Sequence, residues 1–456
     1  MKTLFITVSE GSIARNILRS FVLEALLRDP EISVVLLALH PKAQLYEKEF
    51  GSERVRVIAF RPRTQSFFDR LLLFLGRNGL RTETIMADQR TYLFHSKRYV
   101  SFILKRMITR VWGRSRIFHL WLRWLASFRA PTPDMRDAFV RFQPSLLFAT
   151  DVQDEFDIDA MRAARGRGVA IVGMVRSWDN PTSHHLIQIV PKTLAVWSPY
   201  VKARAMELHH IPEEQIVVTG IPHFDWYRRR DVRISRAEFL KPYGIRESEA
   251  YIFFGGNGNE SAPHEKEVVK IISDAISAGK IRRAAKVLYR PHPNFPIERD
   301  FIRALPHVVF DDAVAHYTGA KRSSWEMDRE KMVHLVNSLL HADVALNTAS
   351  TIAVDAAAFD RPIICIGFDG TAHEPYWNSV ARYYRDYTHY IYLIATRGLC
   401  VVHSPEECIE AINSYLENPS LDREGRARIR DEFIGPLDGH SAQRLADVVL
   451  SQLKGR

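Results

Sequence analysis

The segment Y-R-P-H-P-N at 289–294 closes an apolar run, KVLYR, with a guanidinium and an imidazole separated by one proline. Pro291 and Pro293 fix their own φ and push Arg290 and His292 toward extended backbone. Both side chains are therefore expected to project from a stiff loop at a strand's carboxyl end, with Asn294 on the same rim. A guanidinium suits bidentate contact with phosphate, and an imidazole donates a hydrogen bond to a phosphate oxygen or supplies a proton. In D-V-A-L-N-T-A-S-T at 343–351 a strand runs into a helix that is expected to open near Thr351. Ser350 and Thr351 then stand where free N–H groups and the helix dipole attract an anion without a Walker lysine. Asp355, one turn on, is placed to hold a ribose hydroxyl pair. A third run, F-F-G-G-N-G-N-E at 253–260, again follows a strand, and Gly256 and Asn257 permit close approach of a ligand to the backbone. It fits neither GxGxxG nor GxxxxGK[ST]. Three strand ends of one sheet carrying phosphate-compatible residues predict a nucleotide-binding half.

Earlier in the chain the strand ends carry carboxylates. Glu10 lies in SEGSIARN, Asp151 follows SLLFAT, and Asp179 lies in V-R-S-W-D-N-P-T-S at 175–183. Each can remove a proton from an acceptor hydroxyl if it lies within ~2.6 to 3.2 Å of that oxygen. Asp179 has the strongest claim, because Arg176, Trp178 and Asn180 surround it with binding chemistry. The run D-V-Q-D-E-F-D-I-D at 151–159 includes an Asp157-x-Asp159 pair but lacks the EF-hand glycine and terminal glutamate, so it reads as a charged helix start. The adjacent pairs His184–His185 and His209–His210 point to different sides of any element, which argues against a metal site.

These residues need strands to present them. Apolar runs of four to seven residues recur between helical patterns, as expected of parallel strands buried on both faces. Seven fall in the first half, at 3–8, 33–39, 55–60, 145–150, 170–175, 193–198 and 215–220. Five follow, at 251–256, 286–290, 307–310, 343–348 and 362–368. The pattern predicts an α/β protein of two Rossmann-like domains: residues 1–225, then 251–438, joined by a charge-dense connection at 226–250. The apolar stripe of residues 441–453, on Leu445, Val448, Val449 and Leu453, predicts a final helix that docks on another element.

The 456-residue chain carries a net charge of +10, with 46% hydrophobic and 25% charged residues, which excludes collagenous and disordered classes. No apolar run approaches the ~18 to 20 residues of a membrane-crossing helix. Three cysteines without a CxxC pair argue against a disulfide framework or zinc knuckle, and a reducing cytoplasm is expected. From residue 89 to residue 132 there are ten basic residues and no acidic one, interleaved with Phe102, Trp112, Phe118, Trp121, Trp124 and Phe128. Two helical stripes run through it: Val100, Ile103, Leu104, Met107, Ile108 and Val111, then Ile117, Trp121, Trp124, Leu125 and Phe128. Either they face the domain's own sheet, or they lie in the interface of an anionic membrane as basic amphipathic helices. No basic-zipper, zinc-finger or RNP signature accompanies the charge, which argues against nucleic acid.

The R-P-H-P-N and T-A-S-T motifs, with the ending L-D-G-H-S-A-Q-R at 437–444, resemble glycosyltransferases of the two-domain GT-B architecture. The resemblance is best over residues 170–450. It points to bacterial surface-polysaccharide transferases, including the CDP-glycerol glycerophosphotransferase and the capsule Kdo or sialic acid transferase groups. It implies two domains facing across a cleft that closes on the donor, and a last helix crossing to the first domain. His292 and the Ser350/Thr351 pair would contact the phosphates of a nucleotide-activated donor, most simply a cytidine or uridine nucleotide. Non-hydrolysing UDP-GlcNAc 2-epimerases are also similar, with an acidic residue where Asp355 stands. The expected activity is metal-independent sugar transfer, without a cofactor, to a lipid-linked or growing cell-surface glycan at the inner face of the membrane. Glycerophosphate transfer, epimerisation and non-catalytic binding of anionic glycans or lipids are the alternatives.

Overall fold

Runs of Val, Ile, Leu and Phe without alternation require burial on both faces, which a parallel sheet between two helical layers provides. The computed structural model describes residues 1–62, 64–293, 295, 297–313, 316–317 and 325–455. The chain forms two compact units, one of Met1–Asp225 with Gly435–Arg456 and one of Trp226–Ile434.

The first unit has seven strands: β1 (Lys2–Val8), β2 (Ile32–Leu39), β3 (Val55–Phe60), β4 (Leu146–Ala149), β5 (Ala170–Met174), β6 (Thr193–Val196) and β7 (Ile216–Val218). They pair in parallel in the order β3-β2-β1-β4-β5-β6-β7. Strand order reverses between β1 and β4, and crevices at the carboxyl ends of such a switch are where doubly wound sheets hold ligands. The helices used below are α1 (Val22–Leu27), α2 (Phe67–Asn78), α3 (Glu83–Ser96), α4 (Tyr99–Trp112), α5 (Arg116–Ser127) and α6 (Glu155–Arg165). Their starts are fixed locally, because Thr82, Ser115 and Asp154 each accept an N–H of the first turn, and Ser66 with Asp69 forms a capping box on α2.

The structure shows which faces of the basic segment are covered. On α5 the inward residues are His119, Leu122 and Ala126, and the last two join a cluster with Leu72, Leu80, Ile85 and Leu186. Ile117 is 82% exposed, and Trp121, Trp124 and Phe128 are exposed beside it. On α4 only Thr109 is buried, while Val100 is 83% exposed and Ile103, Leu104, Met107 and Val111 are exposed with it. Most of each stripe is therefore exposed, while Ile108 is half-buried and Leu125 packs partly on that cluster. Arg123 is tied to the first unit, since its Nε donates to the carbonyl of Ile187 at 3.1 Å. Burial lowers its pKa to about 10.

The second unit repeats the topology with β8 (Ala250–Gly255), β9 (Ala285–Arg290), β10 (Val308–Phe310), β13 (Val344–Asn347), β14 (Ile363–Ile366) and β15 (Cys400–Val402), in the order β10-β9-β8-β13-β14-β15. A separate antiparallel pair, β11 (His316–Tyr317) and β12 (Trp325–Glu326), lies outside that sheet. Ile252, Phe254, Val287, Leu346 and Ile364 form its core under α7 (Glu265–Ser277), and α8 (Arg329–His341) and α9 (Ile352–Ala358) complete the helices used here. Residues 226–250 are not an open tether. Phe239 and Leu240 are buried, Arg236 pairs with Asp343 at 2.6 Å, and the Ile234 N–H donates to Asn337 at 3.0 Å. Their charges had masked this packing in the sequence.

The last helix, α10 (Ser441–Lys454), is part of the first unit, where Leu445, Val449 and Leu453 are buried. Its first turn has no cap of its own, and the Asp225 carboxylate accepts the N–H groups of Ser441 at 3.0 Å and Ala442 at 2.8 Å. Gly220, at φ +84°, leaves room for that junction, since a Cβ there would lie 2.4 Å from Ser441 Oγ. Asp225→Ala removes an acceptor for two buried donors and is expected to destabilise the α10 junction by about 1–2 kcal/mol. Faster amide hydrogen exchange at the start of α10 reports it, and unchanged protection there would contradict the capping role.

Candidate active site

At the switch of the first unit, β1 leads to Glu10, β4 to Asp151 and β5 to Arg176. The Arg176 guanidinium ties the three strand ends together: Nη1 donates to Glu10 Oε1, and Nε stands 3.3 Å from Asp151 Oδ2. The Glu10 side chain is 29% exposed and that of Asp151 only 3%. Burial disfavours the Glu10 charge, yet Arg176 and the Ser12 hydroxyl outweigh it and hold the carboxyl below its ordinary range. For Asp151 burial wins over Arg176 and pushes the pKa up to about 7. Arg176 is held charged, because Asp151 and Glu10 overcome the effect of burial. Asp179 accepts from the hydroxyls of Ser177 and Ser183, and its charge acts on Arg176. All three predicted carboxylates thus share one guanidinium.

Asp157, in the first turn of α6, was read only as part of an acidic run. It is fully buried, accepts from Thr7 Oγ1 and from the Asp151 N–H at 3.0 Å, and is raised well above the ordinary range by burial and by Asp154 and Asp151. Asp159 instead binds the N–H of Thr132 at 3.1 Å and its hydroxyl at 2.5 Å. The Asp157-x-Asp159 pair is engaged in holding the fold. Among the described residues no cluster of three or more His, Cys, Asp or Glu suits a metal ion.

In the second unit Gly255 pairs with Arg290 on β9 and with Asn347 on β13, so three strand ends converge at the switch. The Gly256 N–H donates to the Arg290 carbonyl at 2.8 Å, and a Cβ on Gly256 would fall 2.3 Å from the Tyr289 hydroxyl. The loop is shaped by Glu265, the first residue of α7, which accepts from the Asn257 N–H at 2.7 Å and from Tyr289 at 2.6 Å. Burial raises Glu265 to about 7.

Arg290 differs from its expected position. It is 5% exposed and lies 3.4 Å from Asp311, which also binds His334 at 2.8 Å. A buried carboxylate requires a counter-charge, and this draws the guanidinium inward. His292 is partly exposed and stacks on Phe295 with ring centroids 4.5 Å apart. Asn294 lies outside the described residues. The start of α9 also departs from the simple capping picture: Ala349 is left-handed at φ +46°, Ser350 Oγ accepts only a long bond from the Ile352 N–H at 3.4 Å, and Thr351 is exposed with no capping bond. Asn347 organises this turn instead, accepting the Ser350 N–H at 3.1 Å. Its Nδ2 is buried without a hydrogen-bond partner among the described residues. Asp355 accepts from the Tyr227 hydroxyl at 2.6 Å, which occupies one of its oxygens. Beside the glycine loop, His264 sits between Glu267 at 3.1 Å and Glu374 at 2.8 Å.

Residues 191–451, more than half of the chain, match the family model of CDP-glycerol:poly(glycerophosphate) glycerophosphotransferases. The chain belongs to that family. The family is one of transferases, and the fold is that of GT-B proteins. The UDP-GlcNAc 2-epimerase of Neisseria meningitidis bound to UDP-GlcNAc is similar with TM-score 0.58 at 12% identity, over 99% of this chain and 100% of that one. The S. aureus MnaA–UDP co-structure gives 0.55 at 10% identity, over 100% and 97%. A glycosyltransferase from Rickettsia africae gives 0.52 at 10% identity, over 98% of each chain. No curated protein matches the transferase in sequence.

The raised Asp151 makes the stability of the first unit pH-dependent. Its folded pKa of about 7 exceeds the ordinary 3.8, so the fold holds a proton that the unfolded chain releases. That contribution is fully present below about pH 4 and is lost as the pH rises through about 7. Between those limits wild type is expected to lose on the order of 4 kcal/mol relative to Asp151→Asn. Denaturant unfolding of both proteins across this range checks it, and parallel profiles would count against a buried protonated Asp151.

Proposed function

We propose that this transferase moves a sugar from a nucleotide-activated donor to a hydroxyl of a lipid-linked or growing cell-surface glycan. The observation that carries the reading is the Glu10–Arg176–Asp151 cluster at the switch of the first sheet. Glu10 is the base: it is ionised, partly exposed and oriented by a guanidinium that Asp151 holds from behind. The acceptor oxygen bonds to the donor's anomeric carbon, the bond from that carbon to the nucleotide phosphate breaks, and the acceptor proton passes to Glu10. Charge gathers on the leaving phosphate. His292, the N–H groups after β8 and the turn at Ser350 and Thr351 would neutralise it, with the donor base a cytidine or uridine. On this reading no metal or cofactor is required. The family match favours a second reading, in which the group moved is glycerophosphoryl from CDP-glycerol and the acceptor attacks phosphorus.

The bare outer faces of α4 and α5 support a peripheral site of action. Arg98, Arg110, Arg114 and Arg116 are exposed beside those apolar residues, a combination that fits an anionic bilayer interface. Among the described residues no helix is long and apolar enough to cross a membrane.

Glu10→Gln is expected to lower kcat by about 10²- to 10⁴-fold while leaving the thermal shift by CMP, CDP or UDP unchanged. Undiminished turnover would remove Glu10 as base, and a UDP-sugar interconverted without any acceptor would make the chain an epimerase. In vesicle sedimentation, Arg110→Glu with Arg116→Glu should weaken binding to phosphatidylglycerol-rich vesicles by at least ~2 kcal/mol, at ~1 kcal/mol for each cation. Equal sedimentation of variant and wild type would refute the bilayer contact.

A further inference from the structure

The first unit contains a cavity of about 1020 Å³ that none of the assignments above uses. Its walls come from the ends of β2 and β3, from α2, α3 and α4, and from the start of α6. Sites of ~300 to 1,000 Å³ hold drug-sized ligands, so this one has room for several sugar-sized rings. Its apolar surface includes the rings of Phe60, Phe74, Tyr92 and Phe156. Two buried amides in its lining, Gln89 and Gln153, each leave Oε1 without a hydrogen-bond partner among the described residues. Those oxygens are closed off from the cavity itself, so the groups a ligand meets there are the rings and the carboxylates.

The charges narrow the ligand further. Five carboxylates line the cavity, among them Asp88, Asp134 and Glu155, against three cations among the described residues, Arg61, Arg77 and Lys105. Arg77 is already paired with Asp88 at 2.6 Å, and Lys105 lies 3.5 Å above the Tyr92 ring. A polyanion would bring its phosphates against this acidic excess. A saccharide offers hydroxyl donors to the carboxylate oxygens, and its C–H faces pack on aromatic rings. The cavity lies beside the cluster on Arg176, since its lining residues Asp154 and His184 both feel the Arg176 charge and its Gln153 donates a backbone N–H to Asp151 at 3.1 Å.

We infer that this cavity is the acceptor site and that it takes an uncharged, hydroxyl-rich saccharide chain rather than a poly(glycerophosphate) chain. The inference rests on the transfer reading, because it identifies the molecule whose hydroxyl meets Glu10. Saturation-transfer NMR on the full chain tests it with maltotetraose, chitotetraose, a β-galactan tetrasaccharide and a glycerophosphate tetramer. At least one neutral tetrasaccharide should receive saturation and the glycerophosphate tetramer none. Phe74→Ala and Tyr92→Ala should each raise its dissociation constant by about tenfold, and Tyr92→Phe should restore it. No neutral saccharide bound, binding unmoved in both alanine variants, or the polyanion bound instead would each overturn the inference. Nucleotide thermal shifts on the same samples separate the two claims. A normal shift without saccharide contact sinks only the acceptor assignment, whereas saccharide contact with no response to any nucleotide sinks the transfer reading and leaves a saccharide site.

Discussion

Two carboxylates emerging from adjacent strand ends repel each other and resist burial, and the first unit resolves both problems with one guanidinium. Arg176 reaches from β5 to Asp151 behind β4 and to Glu10 beyond β1. Without that cation the switch point could not bring the strand ends together around two carboxyl groups. The rest of the edge follows from it. Asp157 sits behind with its oxygen on the Asp151 N–H, Thr7 closes the far side, and the 177–183 turn hangs Asp179 within reach of the same charge. The environment separates the two contacting carboxylates, leaving the outer one ionised and driving the inner one toward its protonated form.

The second unit meets a related constraint differently. Its buried acid, Asp311, is held by Arg290 and His334 inside the sheet edge, so the rim there is left to backbone N–H groups, a partly exposed imidazole and small polar residues. Donors without a fixed charge can stabilise a leaving anion without holding it afterwards. The same topology thus gives one edge suited to taking a proton and one suited to receiving a phosphate.

The strands were legible because parallel strands buried on both faces leave unbroken apolar runs, and all twelve runs correspond to strands within a residue or two at each end. Cys400–Val402 escaped, since an edge strand of three residues flanked by helices carries too short a signal. At the candidate site the loops were readable and the directions of side chains were not. Arg290 follows the same proline-stiffened motif as His292, but its orientation is set by Asp311, more than twenty residues away in a segment without a motif. The roles of Glu265, Asn347 and Tyr227 were equally hidden, because each depends on a partner brought close only by folding. The amphipathic stripes of α4 and α5 looked the same whether they faced a sheet or solvent, since periodicity gives a face but not what covers it.

The return of α10 to the first unit makes the second unit, in chain terms, an insertion within the first. Domains emerge from the ribosome amino end first. Here the second unit is complete in sequence as soon as Ile434 has been made, whereas the earlier-made unit still awaits its closing helix. The carboxylate edge therefore precedes the second unit in the chain but belongs to the unit that closes after it, once α10 has been made.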